Sequence, residues 1–274
     1  MTRALVLGGG GVTGVAWELG VLEGLRRAGV DLAAAETVIG TSAGSVVGTR
    51  ITTGSTAEAY ADQLRPPDGE LVAKLGATTL IRLGVMLARR GEQSVKWQKL
   101  GKAASAAHPE SPAARFEVIR ARIGEPDWPE RDLRITAVDT DRGEFTVFDR
   151  DSGLSVLEAV AASCAVPLVW PPVPINGTTY VDGGARSAAN ADLAAGAEVV
   201  VVLAPTTMAV SREHSLTRQL ERTGAGRTLV VSPDDEAGRA MGSNALDPAR
   251  RQASAETGLR QGALVAERVA AVWG

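Results

Sequence analysis

Apolar positions along the chain fall into two alternating patterns. Short runs dense in branched residues read as strands: Ala4–Leu7, Thr37–Ile39, Leu133–Val138, Phe145–Phe148, Thr179–Val181, Glu198–Leu203 and Leu229–Val231. Between them lie longer segments with helical spacing. Val15, Leu19, Leu22 and Leu25 predict a helix over Val15–Ala28, ended by Gly29. Further helices are expected from Ala43 to about Ile51, over Leu154–Ala162, and as a long closing element over about 248–272. Strands that alternate with helices predict an α/β fold, layered as α/β/α around a mostly parallel sheet.

One region breaks the alternation. Residues of about 57–124 read as an almost entirely helical insertion, interrupted at Pro66-Pro67-Asp68-Gly69 and again at Pro109 and Pro112. Within it, Leu71–Arg90 carries Leu71, Leu75, Leu80, Leu83, Val85, Met86 and Leu87 and ends in Arg89-Arg90. An amphipathic helix packed on the core explains this pattern. A mobile cap over an apolar site, or a peripheral contact with a membrane surface, is the sharper alternative. The expectation for the whole chain is one domain over 1–274.

Composition narrows the function classes. The chain has 274 residues, 45% apolar and 22% charged, with a net charge of −3. That supplies a sizeable core and lacks the basic excess of a nucleic-acid-binding protein, so no nucleic-acid partner is expected. A single cysteine, Cys164, excludes a disulfide framework and a multi-thiolate zinc site. Two histidines, His108 and His214, leave little for a histidine-based metal centre or catalytic base. No metal or cofactor is expected. Met1-Thr2-Arg3 runs directly into the first apolar run, which is too short for a secretory signal. The longest uncharged stretch, Ala159–Val181, contains Pro167, Pro171, Pro172 and Pro174, which break a spanning helix. A cytoplasmic protein without a transmembrane segment is the expectation.

Glycine, at 31 residues, is informative through its clustering. Gly8-Gly9-Gly10-Gly11-Val12-Thr13-Gly14 follows the first strand and precedes a helix. Without Cβ atoms, backbone N–H groups there can approach a ligand oxygen, and the helix adds its positive end. The same residues satisfy a dinucleotide-binding G-x-G-x-x-G. That reading also wants a carboxylate at the end of the second strand, and Thr37–Ile39 runs instead into Gly40-Thr41-Ser42-Ala43-Gly44. This second block is G-x-S-x-G, which places a serine hydroxyl on a sharp strand-to-helix turn. The alternative for it is a glycine-rich turn with a capping serine. A third block, Tyr180-Val181-Asp182-Gly183-Gly184, puts a carboxylate at a strand end beside two glycines. An ordinary Asp-Gly turn is the competing reading.

Together these blocks resemble the signature motifs of patatin-like phospholipases: Gly9–Gly14, then Gly40–Gly44, then Asp182-Gly183-Gly184. Gly20-Val21-Leu22, Ile135–Asp139 with Gly143-Glu144, and Ala162–Pro167 running to Pro171-Pro172-Val173 agree with that family. The resemblance covers residues 3 to about 195. It implies a three-layer α/β/α fold and hydrolysis of lipid acyl esters by a serine–aspartate dyad, without a catalytic histidine. Carried over, Ser42 is the nucleophile, Asp182 its base, and the amides of Gly9, Gly10 and Gly11 the oxyanion hole. Gly14, Gly40, Gly44, Gly183 and Gly184 support the motifs.

The implied substrate is a phospholipid, a lysophospholipid or a simple acyl ester. Two departures bear on it. Thr13 stands where the family usually has Arg or Lys, and the stretch from Gly14 to Gly20 is one residue longer than usual. The missing cation weakens the expectation of a phosphate headgroup. Asp139 and Asp141, which also follow a strand, compete with Asp182 for the role of base. Two other functions remain open: a dinucleotide-binding oxidoreductase and a catalytically silent lipid-binding regulatory protein.

Overall fold

The computed structural model describes residues 1–67, 77–88, 91–108, 113–209 and 211–274. Its strands are β1 (Arg3–Leu7), β2 (Thr37–Thr41), β3 (Asp132–Asp139), β4 (Glu144–Phe148), β5 (Val173–Ile175), β6 (Thr178–Asp182), β7 (Val199–Leu203) and β8 (Arg227–Val231). They form one sheet, ordered β5-β6-β3-β2-β1-β7-β8, with β4 also paired to β3. The five strands from β3 to β8 along this path are parallel, while β4, β5 and β6 join antiparallel. Both faces of the central strands are buried, which is why β1 and β7 are continuous apolar runs rather than alternating ones.

The helices are α1 (Gly11–Arg27), α2 (Ala43–Thr53), α3 (Thr56–Gln63), α4 (Ala77–Ala88), α5 (Gln93–Ala107), α6 (Ala113–Ile123), α7 (Val156–Ser163), α8 (Leu216–Thr223), α9 (Asp235–Met241) and α10 (Arg251–Trp273). Leu5, Leu7, Val38, Leu133 and Ile135 of the sheet share one core with Trp17, Leu25, Val47, Val160 and Val269 of the helices. Ala4, Val6, Ile39, Val200 and Val202 face the other way, against Leu216 and Leu220 of α8 and a 3-10 turn over Ala191–Ala194. This is the expected three-layer α/β/α arrangement.

The registers on β3 decide where the site forms. Thr41 of β2 pairs with Thr136, and Asp182 of β6 pairs with Ala137, the next residue along. β4 pairs with β3 over Ile135–Asp139 and so occupies the opposite edge from both. β2 and β6 therefore share one edge of β3 and meet end to end.

Several elements differ from the sequence pattern. The first helix starts at Gly11, not Val15, because its glycine-rich turn is held by tertiary contacts: the Thr13 amide donates to the Ala245 carbonyl at 3.1 Å. The closing element is split into a 3-10 turn at Pro248–Arg250 and α10. The short β5, α8 and α9 were not expected; β5 is proline-containing, and α8 and α9 lack long apolar stripes. In the helical insertion, Leu83, Met86 and Leu87 of α4 pack on Trp97, Leu100 and Val138, while Ile81 and Val85 are exposed. Leu71, Leu75, Arg89, Arg90, Pro109 and Pro112, and the side chain of Leu80, lie outside the described residues. Among the described residues no helix is long and apolar enough to cross a membrane.

α1 and α10 pack at backbone distance. A Cβ added at Gly24 would run into the Leu259 carbonyl oxygen, and one at Gly262 into that of Val21. The buried Trp17 indole donates to Gln261 Oε1 at 2.9 Å across the same contact. Gly24→Ala should therefore destabilise the protein by about 1–3 kcal/mol through overpacking. Gly238→Ala, in α9 with open space around it, should instead stabilise by up to about 1 kcal/mol through helix propensity. Thermal unfolding of the two variants should shift in opposite directions.

Candidate active site

Ser42 sits between β2 and α2 with φ of 53° and ψ of −114°. A non-glycine residue in the left-handed region costs on the order of 1–3 kcal/mol and persists only where neighbours hold it. Here they do. The Ser42 amide donates to Ser163 Oγ at 2.9 Å, and the Ser42 carbonyl accepts from the Ser45 amide at 2.9 Å and from Cys164 Sγ at 3.3 Å. Gly44 lets the turn close: its amide donates to the Gly8 carbonyl at 3.0 Å, and a Cβ there would overlap Leu7. Gly40, behind it, abuts the backbone of Gly44. Ser42 is 8% exposed.

Asp182 ends β6 and is buried. Its Oδ1 accepts from the Gly184 amide at 2.7 Å, so the second glycine fixes the carboxyl's rotamer. Gly183 packs against Thr136 with no room for a side chain. Burial raises the Asp182 pKa from 3.8 to about 6, partly opposed by hydrogen bonding with the Ser42 side chain, by the Gly184 amide and by the charge of Arg115. The competing carboxylates are occupied elsewhere. Asp139 Oδ1 accepts from the amides of Asp141 and Arg142 at 2.9 Å each, and Asp141 Oδ2 accepts from the Thr179 amide at 2.8 Å.

The glycine block meets the serine turn from the side of β1. The Gly8 amide donates to Glu18 Oε1 at 2.9 Å, and the Gly9 amide to the Ala188 carbonyl at 2.7 Å. This departs from the expectation that Gly9 offers its amide at the serine: that donor is spent holding the loop. Gly10 and Gly11 follow, and Gly14 closes the first turn by donating to the Gly10 carbonyl at 2.9 Å. Among the described residues the amides of Gly10, Gly11 and Val12 have no acceptor. Gly11 has φ of 62°, and its Cα faces Ala245 and Leu246. Glu18 is fully buried with Oε2 unpartnered, and burial pushes its carboxyl well above the ordinary range.

Ser42 opens into a cavity of about 30 Å³ shared with Gly11, Val12, Val46, Arg115 and Trp170. Val12, Val15, Val46 and Val118 continue from it into a wider cleft of about 340 Å³. The smaller cavity is apolar apart from Arg115, Arg122 and the Ser42 turn, whereas the wider cleft also carries Arg50, Asp62, Gln63, Arg65 and Arg251. Neither His108 nor His214 lines the cavity. Both are half-buried; His214 pairs with Ser211 Oγ at 3.0 Å, and burial lowers its pKa. Among the described residues no cluster of His, Cys, Asp and Glu could hold a metal ion.

A sequence model of the family described as patatin-like phospholipase matches residues 5–195. The chain belongs to that family. Its members are lipid acyl hydrolases, and the matched segment contains the serine turn, the glycine block and Asp182. The patatin-like chain also aligns with VipD from Legionella pneumophila at TM-score 0.49 and 12% identity, covering 97% of this chain and 67% of that one. The type III effector ExoU aligns at TM-score 0.42 and 13% identity over 97% of this chain and 53% of that one. ExoU from Pseudomonas aeruginosa, in complex with SpcU, gives 0.39 and 19%, with 98% and 52% coverage. This chain thus spans about half the length of the ExoU chains. No curated protein matches it.

Four residues that support this patatin-like site escaped the sequence reading. Ser163 and Cys164 hold the Ser42 backbone, and only the block around them stood out. Asn190, in a left-handed conformation, donates from Nδ2 to Thr41 Oγ1 at 3.0 Å and to the Ser187 carbonyl at 2.9 Å. It ties β2 to the loop after Asp182. Arg115 of α6 reaches the cavity from the helical insertion, 49 residues before Cys164, whose carbonyl it binds, and it meets the motifs only by tertiary packing; the sequence carries no signal for it.

The raised Asp182 pKa has a consequence for stability. A carboxyl whose folded-state value lies above its unfolded value favours the native state when protonated, and costs stability as pH rises from about 4 to about 6. The cost above pH 6 has an upper limit on the order of 3 kcal/mol. Asp182→Asn, nearly isosteric and uncharged, should raise Tm at pH 8 by several degrees. At pH 4 the gain should nearly vanish. Thermal unfolding of both proteins at the two pH values checks the sign.

Proposed function

We propose that this chain is a serine acyl hydrolase acting on carboxylic esters of lipids through a Ser42–Asp182 dyad and an acyl-enzyme. The observation that carries the reading is the meeting of β2 and β6 on one edge of β3. It sets a strained, half-freed serine beside a buried carboxyl whose pKa is about 6. Asp182 takes the hydroxyl proton as Ser42 Oγ attacks the ester carbonyl, and the alcohol leaves with a proton returned from Asp182. Water then adds to the acyl carbonyl as Asp182 accepts its proton, and that proton passes to Ser42 Oγ as the acyl–serine bond breaks and the carboxylic acid departs. A carboxylate at 3.8 is a weak base at neutral pH; one near 6 is closer to the working range and still ionised at pH 7.

The tetrahedral oxyanion is assigned to the amides of Gly10 and Gly11 at the N-terminus of α1, where the helix dipole adds positive potential. Gly9 acts one step back by anchoring the loop on Ala188. The valine side of the cleft, Val12, Val15, Val46 and Val118, takes the acyl chain. The substrate is a phospholipid, lysophospholipid or simple ester, met in the cytoplasm or at a membrane surface, and the exposed Ile81 and Val85 of α4 suit such a contact. No cofactor or metal is part of this scheme.

A fluorophosphonate probe should label Ser42 alone, and Ser42→Ala should abolish both labelling and ester turnover; mass spectrometry of the labelled protein checks the site. Turnover of a p-nitrophenyl ester should rise with pH and level off above an apparent pKa near 6, since Asp182 must be ionised to accept the proton. The double variant His108→Gln/His214→Gln should keep most of its activity. A triad would lose several orders of magnitude without its imidazole, so steady-state kinetics on the folded variant discriminate the two.

A further inference from the structure

A buried carboxyl on α1 takes no part in the chemistry described so far. Glu18 is fully buried. It falls in the stretch between Gly14 and Gly20 that is one residue longer than the family pattern. Helical side chains lean toward the helix N-terminus, and the Glu18 carboxyl reaches back about two turns to the glycine block. Its Oε1 accepts from the Gly8 amide at 2.9 Å. Its Oε2 has no partner among the described residues.

The sheet does not need this bond. The Gly8 amide already donates to the Leu203 carbonyl at 3.0 Å, continuing the pairing of β1 with β7. Glu18 therefore shares a donor that is satisfied without it. A buried carboxyl left half-paired is costly, and an apolar side chain of the same length would avoid that cost. What the bond adds is a connection. The Leu203 bond holds Gly8 to β7, whereas the Glu18 bond holds it to α1, the helix whose first amides, Gly10 and Gly11, are assigned to the oxyanion. The Gly8 carbonyl in turn accepts from the Gly44 amide at 3.0 Å, two residues past Ser42. Gly8 is thus a joint, with its amide on α1 and its carbonyl on the serine turn. Burial keeps the proton on Glu18 well above the ordinary carboxylate range. The group therefore accepts as a neutral acid and adds no negative charge beside the positive end of α1.

We propose that Glu18 is a positioning residue for acyl transfer: through Gly8 it fixes the spacing between the Gly10 and Gly11 donors and the Ser42 hydroxyl, and so acts on the transition state rather than on substrate binding. This rests on the acyl-hydrolase reading. The test uses the full-length protein, p-nitrophenyl octanoate as substrate, and three variants.

Glu18→Met keeps the length of the side chain and removes the acceptor. It should lower kcat about 10- to 100-fold with KM changed by about twofold or less, the signature of misplaced transition-state donors. Its Tm should be unchanged or higher, since no half-paired carboxyl is left in the core. Octylboronic acid, which adds to a serine hydroxyl as a tetrahedral anion, should lose affinity by the same factor. Glu18→Gln, with the same shape and acceptor, should restore kcat to within about threefold of the wild type. Glu18→Asp, whose shorter chain withdraws the oxygen from Gly8, should resemble the Met variant and replaces it if that protein does not fold. Wild-type kcat in a folded Met or Asp variant overturns the proposal and leaves the hydrolase reading intact. So does a loss carried by KM alone, or a folded Gln variant that loses about tenfold or more in kcat. A wild-type protein with neither ester turnover nor Ser42 labelling sinks the hydrolase reading itself, and the proposal with it.

Discussion

Everything at the site depends on one edge of β3. β2 leaves that edge at Thr136, and β6 takes it over at Ala137 from the opposite direction. Two strands that are 140 residues apart in sequence thereby end against each other, one with a serine and the other with an aspartate. A slip of one residue in either register would turn a side chain to the other face of the sheet. The buried Asn190 amide, bonded to Thr41 and to the Ser187 carbonyl, pins the junction. Where a parallel and an antiparallel strand share an edge, backbone pairing cannot continue across the gap, and side chains have to close it.

The junction stores unfavourable terms rather than relieving them. Ser42 is held at positive φ, Asp182 is a carboxyl out of water, and Arg115 is a buried guanidinium whose Nε has no acceptor among the described residues. Each would relax if its surroundings were soft. They are not: Ala4–Leu7 of β1 and all of β7 are buried, α1 and α10 touch at backbone distance, and the loops before α1 and α2 are tied by Gly8, Gly9 and Gly44 amide bonds. Rigid surroundings let a strained hydroxyl and a raised carboxyl pKa persist. Burial alone is what raises the Asp182 carboxyl, while valines line the cavity on the Ser42 side.

The local content of the chain was legible without a structure. Glycine blocks between an apolar run and a helical pattern can only be tight strand-to-helix turns, because the backbone approaches they make leave no volume for Cβ. The alternation of strands and helices leads to a layered sheet by burial alone. Gly40-Thr41-Ser42-Ala43-Gly44 and Asp182-Gly183-Gly184 therefore singled out a serine and a carboxylate that the fold brings together, and histidine scarcity was visible in the composition. What the tertiary structure decided is which of these groups are free. Gly9 looks the same in sequence as Gly10, but Ala188 takes its amide. Asp139 looks as able a base as Asp182, but the turn after β3 consumes its oxygen. Arg115 is one arginine among many in a helical stretch until α6 packs it under Trp170 and beside Ser42. Donor availability, pKa and the meeting of distant residues are set by neighbours from other elements, and a one-dimensional pattern carries no information about who those neighbours are.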